Sequence, residues 1–171
     1  DRGNLYTSFA FRPELRPSRM QDFTLWMGVN VCEALANTCR IDAGVKWPND
    51  ILHHGRKLGG MLTEARIHAD HTRDVVFGLG LNLNSQRADW PSEIAPRTTS
   101  VAEAVGQPVD INRVATAIIS RVLKAFDGFV AGDYRAEFER MWNRFDVLRN
   151  QRIAVLFGQA RIEGTTEGID P

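Results

Sequence analysis

The sequence predicts an α+β fold: a mixed, largely antiparallel β-sheet with helices packed mainly on one face, followed by the start of a small C-terminal β-barrel. Three observations carry this. Strand-like patterning runs from about residue 44 to 84, helical periodicity fills 98–145, and two short strand patterns close the chain at 152–157 and 160–168. Strands gathered in one run and helices in another segregate into layers, whereas strict alternation would signal a parallel sheet. At 171 residues, 43% hydrophobic and 25% charged, the chain can bury one complete core, and it is neither collagen-like nor disordered. Lys+Arg and Asp+Glu both number 21, so no net field draws this segment onto nucleic acid or a lipid surface. No apolar run is long enough to span a membrane, and no charged-then-apolar signal peptide opens the chain. Cys32 and Cys39 fit a reduced, cytoplasmic protein better than a disulfide scaffold.

The elements follow in order. Residues 4–11 read as a strand with Leu5, Phe9 and Phe11 on one face. After Pro13 and Pro17, Ser18 is the expected N-cap of a helix reaching about Ala36, striped by Met20, Phe23, Met27, Val31 and Leu35. Leu25, Trp26 and Val29 make that helix apolar nearly all round, so it packs on more than one side. Val45-Lys46-Trp47 leads into a turn at Pro48-Asn49-Asp50. Ile51-Leu52 and Leu58 to Ala65 flank a hairpin reversal at His53-His54-Gly55-Arg56. His68 to Asp74 reads as a polar turn. Val75 to Asn84 reads as a two-faced strand, with Val75, Phe77, Leu79, Leu81 and Leu83 against Val76, Gly78, Gly80, Asn82 and Asn84. A loop spans Ser85 to Thr98, and Asp110 caps the clearest of two or three following helices.

Three strips carry the chemistry. Of the basic residues 18 are Arg, and two of the three lysines, Lys46 and Lys57, fall within one twelve-residue stretch, where a compact ammonium differs from a planar fork. Lys46-Trp47-Pro48-Asn49-Asp50 gathers a cation, an aromatic, a rigid turn, an amide and a carboxylate. Lys57-Leu58-Gly59-Gly60 sets a positive charge beside bared backbone, a combination that can hold a carboxylate or phosphate. Gly78 and Gly80 alternate with Asn82 on one strand face; glycine there marks close approach by a ligand or another backbone. Each strip also has a plain structural reading, respectively a strand exit, a hairpin with a solvated lysine, and a bulge or tight packing.

Together, in this order and spacing, Lys-Trp-Pro-Asn-Asp, Arg-Lys-Leu-Gly-Gly-Met-Leu-Thr-Glu and Gly-Leu-Gly-Leu-Asn-Leu-Asn resemble the biotin–protein ligases (biotin–[acetyl-CoA-carboxylase] ligases) of the biotin/lipoate ligase family. Gly3-Asn4-Leu5-Tyr6-Thr7-Ser8 is similar to the family's strand after its ligand loop. The resemblance implies activation of biotin by ATP, with Mg²⁺ accompanying the nucleotide, to biotinyl-AMP. Transfer to one lysine of a biotin carboxyl carrier domain follows. By similarity Lys57 stabilises the meeting of carboxylate and α-phosphate, and Asp50 holds and helps deprotonate the incoming lysine. Gly59, Gly60, Gly78 and Gly80 give backbone access, Asn49 and Asn82 contact the adenylate, and Lys46 and Trp47 serve as wall and phosphate support. No dedicated metal cage is expected, since magnesium relies on one or two carboxylates plus phosphates. Edge-to-edge homodimers are implied as well.

Residues 1–149 are then the catalytic domain, and 150–171 the truncated start of a C-terminal SH3-like β domain. The family's ligand strand and Gly/Arg-rich loop would precede Asp1, so a core trimmed at both ends is expected. A lipoyl or octanoyl transferase of the same fold, or a ligand- or partner-binding fragment without turnover, are the alternatives. A helix-turn-helix upstream would add a transcriptional role, which nothing in this segment supports. His68-Ala69-Asp70-His71 and His53-His54 read as solvated surface, and both cysteines as structural.

Overall fold

The structure, a computed structural model, describes residues 3–68 and 70–169. The expected trimmed ends, at Asp1 and Pro171, and residue 69 of the 68–74 segment lie outside the described residues. The expected α+β architecture is observed. Strands β1 (Leu5–Phe11), β2 (Ala43–Lys46), β3 (Asp50–His53), β4 (Arg56–His68) and β5 (His71–Leu81) form one sheet in the order β1-β5-β4-β3-β2. Every ladder in it is antiparallel; parallel pairing is confined to isolated bridges at Val45–Asp146 and Lys57–Thr98. Helices α1 (Phe23–Cys39), α2 (Val101–Val105), α3 (Ile111–Ala131) and α4 (Arg135–Phe145) complete the main body. Strands β6 (Arg152–Phe157) and β7 (Ala160–Thr165) form a separate two-stranded antiparallel sheet, and among the described residues no barrel closes around it.

Strand alternation divides the sheet into two unlike faces. Phe9, Phe11, Met61, Val75, Phe77, Leu79 and Leu81 point to the helices and are buried, as the alternating pattern demands. Phe23 of α1 sits at their centre, fully buried and edge-on to Phe77 and Phe129. Helix α1, apolar nearly all round, is buried between sheet, α3 and α4. Trp26 Nε1 donates to the Ala125 carbonyl at 2.8 Å, which pins α1 to α3. The buried amide of Asn30 is satisfied at both ends, donating to Trp26 O and accepting from Arg121 Nε. Asp110 caps α3 as expected, accepting from the Asn112 and Arg113 N–H groups.

Some local expectations change. Ser18 does not cap α1: Pro17–Met20 winds a separate 3-10 turn, and α1 begins at Phe23 after Asp22. Proline at the first position suits that tight turn because its missing N–H is unpaired there in any case. The helix continues past Ala36 to Cys39 and ends on Arg40 in the left-handed region, φ 57°. The expected turn over residues 68–74 is narrower than predicted: β4 runs to His68 and β5 starts at His71, with His68 opposite His71 and Ile67 opposite Thr72. Their polarity records exposure of the ribbon's tip rather than loss of pairing. The expected hairpin at 53–56 is observed, with His54 at φ 46° and Gly55 at φ 75°, the pair of positive values a tight two-residue reversal requires. Strand β5 ends at Leu81, because Asn82 and Asn84 leave the ladder to hold loops.

Among the described residues no helix is long and apolar enough to cross a membrane. Truncating Phe23 to Ala empties the junction of sheet, α1 and α3. It should lower unfolding free energy by about 3–5 kcal/mol, read by urea denaturation.

Candidate active site

The face of the sheet turned away from the helices carries the candidate chemistry. Pairing aligns Lys46 with Asp50, Asp50 with Gly60, Gly60 with Gly80 and Gly80 with Tyr6, so one row crosses all five strands. Directly opposed residues share a face, which puts a lysine and a carboxylate at one end, bare backbone in the middle and an exposed phenol ring at the other.

Lys57 joins this row through an irregularity. It lies three residues before Gly60, an odd separation that would send the two to opposite faces of a regular strand. The register shifts between Ile51 and Leu52, which pair with Gly59 and Lys57, so Leu58 is an extra residue on β4. This bulge restores the parity. Lys57 Nζ lies 2.5 Å from Asp50 Oδ1, and a Cβ built on Gly60 would sit 3.6 Å from that nitrogen and 3.7 Å from Asp50 Oδ1.

The glycines differ in what they do. A Cβ at Gly59 would meet the Gly80 carbonyl oxygen at 2.5 Å, so close packing of β4 on β5 requires glycine there. At Gly60, Gly78 and Gly80 the nearest atoms would be at ordinary contact distance, 3.5 Å or more. The fold has room for a methyl group at these three positions, and what glycine provides there is an open floor.

Two adjoining cavities rise from this floor. The first, about 430 Å³, is lined by Tyr6, Lys57, Gly60, Gly80, Asn82 and Trp90 among others. The second, about 330 Å³, is lined by Lys46, Asp50, Leu52, Gly55, Lys57 and Arg97, and shares Lys57, Ile94 and Thr98 with the first. Lys57 therefore stands at the wall between them. Of the residues singled out in the sequence, Lys46, Asp50, Lys57, Gly59, Gly60, Gly80 and Asn82 line one or both cavities. Gly78 lies on the same face one row further along, beside Ser8 and Leu62. Trp47 is half exposed and lines neither cavity, and Asn49 is exposed, its Nδ2 donating to the Met61 carbonyl at 3.0 Å. Asn49 O also accepts from Met61 N, so the turn is strapped to β4 by two hydrogen bonds.

Sequence reasoning missed Tyr6, Trp90 and Arg97. Tyr6 had a signal, since it alternates against Leu5, Phe9 and Phe11. Trp90 had one too, a large aromatic in a polar loop. Arg97 had none: only the folding of the 85–98 loop over the sheet brings it beside Lys46 and Lys57.

That loop is held at both ends. Asn4 Oδ1 accepts from Leu83 N and Ser85 Oγ at its start. At its end Thr99 N donates to Lys57 O, and Asn82 Nδ2 donates to Thr99 O at 3.0 Å. Glu103 closes the arrangement by accepting from Arg56 Nη1 at 2.9 Å and from Thr99 Oγ1 at 3.0 Å. Partial burial disfavours the Glu103 carboxylate, but hydrogen bonds from Arg56 and Thr99 and the charges of Arg56 and Arg87 outweigh it and hold its pKa below the ordinary value. Burial pushes the Cys32 thiol up, the charge of Asp42 adding to it. A hollow of about 600 Å³ at the tip of β4 and β5, lined by Glu14, His68, Asp70, His71 and Arg73, lies apart from all this. Among the described residues no group of three or more His, Cys, Asp or Glu side chains could hold a metal ion.

Known proteins align with this arrangement. The sequence profile of the Biotin/lipoate A/B protein ligase family matches residues 1–82. The chain is 32% identical over 123 residues to the bifunctional ligase/repressor BirA of Bacillus subtilis, covering 72% of this chain and 37% of that protein. It is 31% identical over 122 residues to the biotin–[acetyl-CoA-carboxylase] ligase of Mycobacterium tuberculosis, covering 66% and 42%. The biotin protein ligase of Aquifex aeolicus superposes with a TM-score of 0.80 at 25% identity, over 98% of this chain and 72% of that one. Its crystal structure with biotin and ATP gives the same TM-score at 24% identity, over 98% and 68%. The chain thus spans between a third and a half of the two curated relatives' lengths.

The contrast between glycines can be measured by thermal unfolding. Gly59→Ala should lower the melting temperature, at about 1–3 kcal/mol of strain, while Gly80→Ala should leave it nearly unchanged. Glu103 gives a pH signature. Its folded pKa lies below its unfolded one, so its stabilisation is complete above the unfolded value and is lost as pH falls through the folded value. Glu103→Gln should therefore flatten the decline of melting temperature below about pH 4.5 without steepening it near neutrality.

Proposed function

Because the chain is a biotin–protein ligase core of the biotin/lipoate ligase family in sequence and in fold, we propose that it performs the ATP-dependent ligation of biotin to a lysine of a carrier protein. The observation that carries this is the position of Lys57, at the wall between two cavities, above a floor that the fold itself does not require to be bare.

Two anions must meet for the first step, the carboxylate of biotin and the α-phosphate of ATP. In water they repel; an ammonium fixed between them offsets that repulsion without reorganising. In the ligand-free protein Lys57 is balanced by Asp50 at 2.5 Å. When carboxylate and phosphate arrive, Lys57 turns its charge to them, and Asp50 is left to a second task. Biotin lies over Gly60, Gly78 and Gly80, where side chains would exclude it. Asn82 spends its Nδ2 on Thr99, which leaves Oδ1 to accept from the adenine or ribose of the adenylate. Asn49 acts through β4, holding the strand on which Gly60 lies. Lys46 supports phosphate and Trp47 forms outer wall. Magnesium would be held chiefly by the phosphates of ATP, whose charge it would partly neutralise, and the second cavity offers it no more than the single carboxylate of Asp50.

In the second step the acceptor amine must be neutral, against an ordinary lysine pKa of about 10.4. Asp50 receives the proton as the amine attacks the acyl carbon of biotinyl-AMP, and AMP departs. Residues 1–149 form the catalytic unit and 150–171 the beginning of an SH3-like β domain. Homodimers join sheets edge to edge, and the reaction belongs to the cytoplasm, where ATP and the carrier are found.

Incubation of the chain with biotin, Mg·ATP and a biotin carboxyl carrier domain should add one biotin to the carrier lysine, read by mass spectrometry. Labelling from lipoate instead would assign a lipoyl transferase, and ligand binding without mass gain a non-catalytic binding fragment. Lys57→Ala should abolish biotinyl-AMP formation with an unchanged melting temperature. Asp50→Asn should still form biotinyl-AMP while transfer to the carrier slows by about 10²–10⁴-fold.

A further inference from the structure

Strand β4 changes neighbours beside the bulge. From Gly59 onward it pairs with β5, but the ladder ends at the Gly59–Leu81 pair, so β5 supplies no partner for Lys57 or Leu58. Their carbonyls are taken up elsewhere: Asn82 N donates to Leu58 O and Thr99 N donates to Lys57 O, each at 2.9 Å. A parallel bridge between Lys57 and Thr98 adds to this. Residues 98–99 thus stand where a strand of the sheet would. A bulge disrupts its own ladder, so this stretch of β4 depends on whatever holds those two residues.

Glu103 holds them. It lies in the first turn of α2 and lines neither cavity. Ser100 caps that helix by accepting from Glu103 N at 3.1 Å. In a reciprocal cap the glutamate three positions on would reach back to the Ser100 N–H. Here its oxygens go across to the sheet and its neighbour: Oε1 accepts from Arg56 Nη1 at 2.9 Å, and Oε2 from the hydroxyl of Thr99 at 3.0 Å. Arg56 precedes Lys57 on the strand and Thr99 donates to the Lys57 carbonyl, so one carboxylate grips both flanks of Lys57. Among the described residues Arg56 has no other carboxylate partner, and the hydroxyl of the fully buried Thr99 has no other acceptor.

We infer that Glu103 is a positioning residue for adenylation: it fixes Lys57 above the glycine floor by bracketing that residue through Arg56 and Thr99, and it touches no substrate. The inference rests on the proposed ligation and names a residue of that reaction outside both cavities. The Lys57 side chain is half exposed, so its backbone and Asp50 set where the ammonium stands. A displacement of about 1 Å in a group that orients two reactants can cost about a hundredfold in rate.

The experiment compares the parent, Glu103→Ala, Glu103→Gln and Thr99→Val chains by single-turnover formation of biotinyl-AMP at saturating biotin and ATP, by isothermal titration with biotin, and by hydrogen exchange of backbone amides. Glu103→Ala should slow biotinyl-AMP formation about ten- to a hundredfold. Biotin should bind with the parent's stoichiometry, so that the loss is one of rate and not of folded protein. The amides of Thr99 and Asn82 should exchange about tenfold faster, and those in the middle of α3 should not. Glu103→Gln should restore most of the rate, because its amide oxygen accepts from Arg56 while its amide nitrogen donates to the Thr99 hydroxyl. Thr99→Val, which removes one of the two grips, should fall between the parent and Glu103→Ala, and where Glu103→Ala does not fold it decides the matter by the same measurements. A rate that falls only in step with biotin stoichiometry would overturn the inference, and so would unchanged exchange at Thr99 and Asn82. If the parent forms biotinyl-AMP and Glu103→Ala forms it as fast, the ligase reading stands and the role of Glu103 falls. If the parent forms none, the ligase reading itself falls, and this role with it.

Discussion

Strand parity ties the core of this protein to its site. Each residue that turns a side chain toward the helices commits its neighbours to the other face, so packing Phe77, Leu79 and Leu81 against α1 places Gly78 and Gly80 on the open side. Beside the site, one residue of β4 breaks the rule. The extra Leu58 on β4 lets Leu58 enter the core while Lys57 and Gly60, which a regular strand would separate, share the open face. Without it, the ammonium and the bare floor would lie on opposite sides of the sheet. The Lys57–Asp50 pair, and the two cavities that meet at it, depend on that one inserted residue.

The asparagines show how polar residues in a core-forming sheet serve two ends. Asn82 and Asn84 follow the last residue of β5, and each spends an amide on a distant loop: Asn82 on Thr99, Asn84 on both polar groups of Val109. Asn4 does the same for the start of the 85–98 segment. A loop of that length would cost considerable entropy to order, and side-chain amides at its two ends reduce what must be fixed. The segment that supplies Trp90, Ile94 and Arg97 to the cavities is thereby positioned by residues of the sheet.

Much of this was readable from residue order alone, because alternation and turn chemistry are local. The two faces of β5, the reversal at His54-Gly55 and the cap at Asp110 each follow from neighbours a few positions apart. The bulge was not readable: nothing in Arg-Lys-Leu-Gly-Gly marks which residue will be left unpaired, since that depends on the partner strand. Arg97 and Trp90 entered only when a loop folded across the sheet, a contact between distant parts of the chain. The 68–74 segment was misread for a related reason. Polar composition there reports solvent exposure at a ribbon's tip, and the ladder runs up to the His68–His71 pair regardless. Asn49, expected at the adenylate, donates its Nδ2 to the Met61 carbonyl, a contact set by the neighbouring strand and not by residue order.

Helix α1 carries both cysteines, Cys32 sealed in the interior and Cys39 partly open in its last turn. Their seven-residue separation along one helix spaces them by about 10 Å of rise. A disulfide needs α-carbons within about 7 Å, so oxidation cannot close a loop inside the chain unless the helix unravels. The buried thiol stays protonated at neutral pH and resists alkylation, which leaves Cys39 as the only sulfur at which two copies could be bridged or a fluorophore attached in the native state.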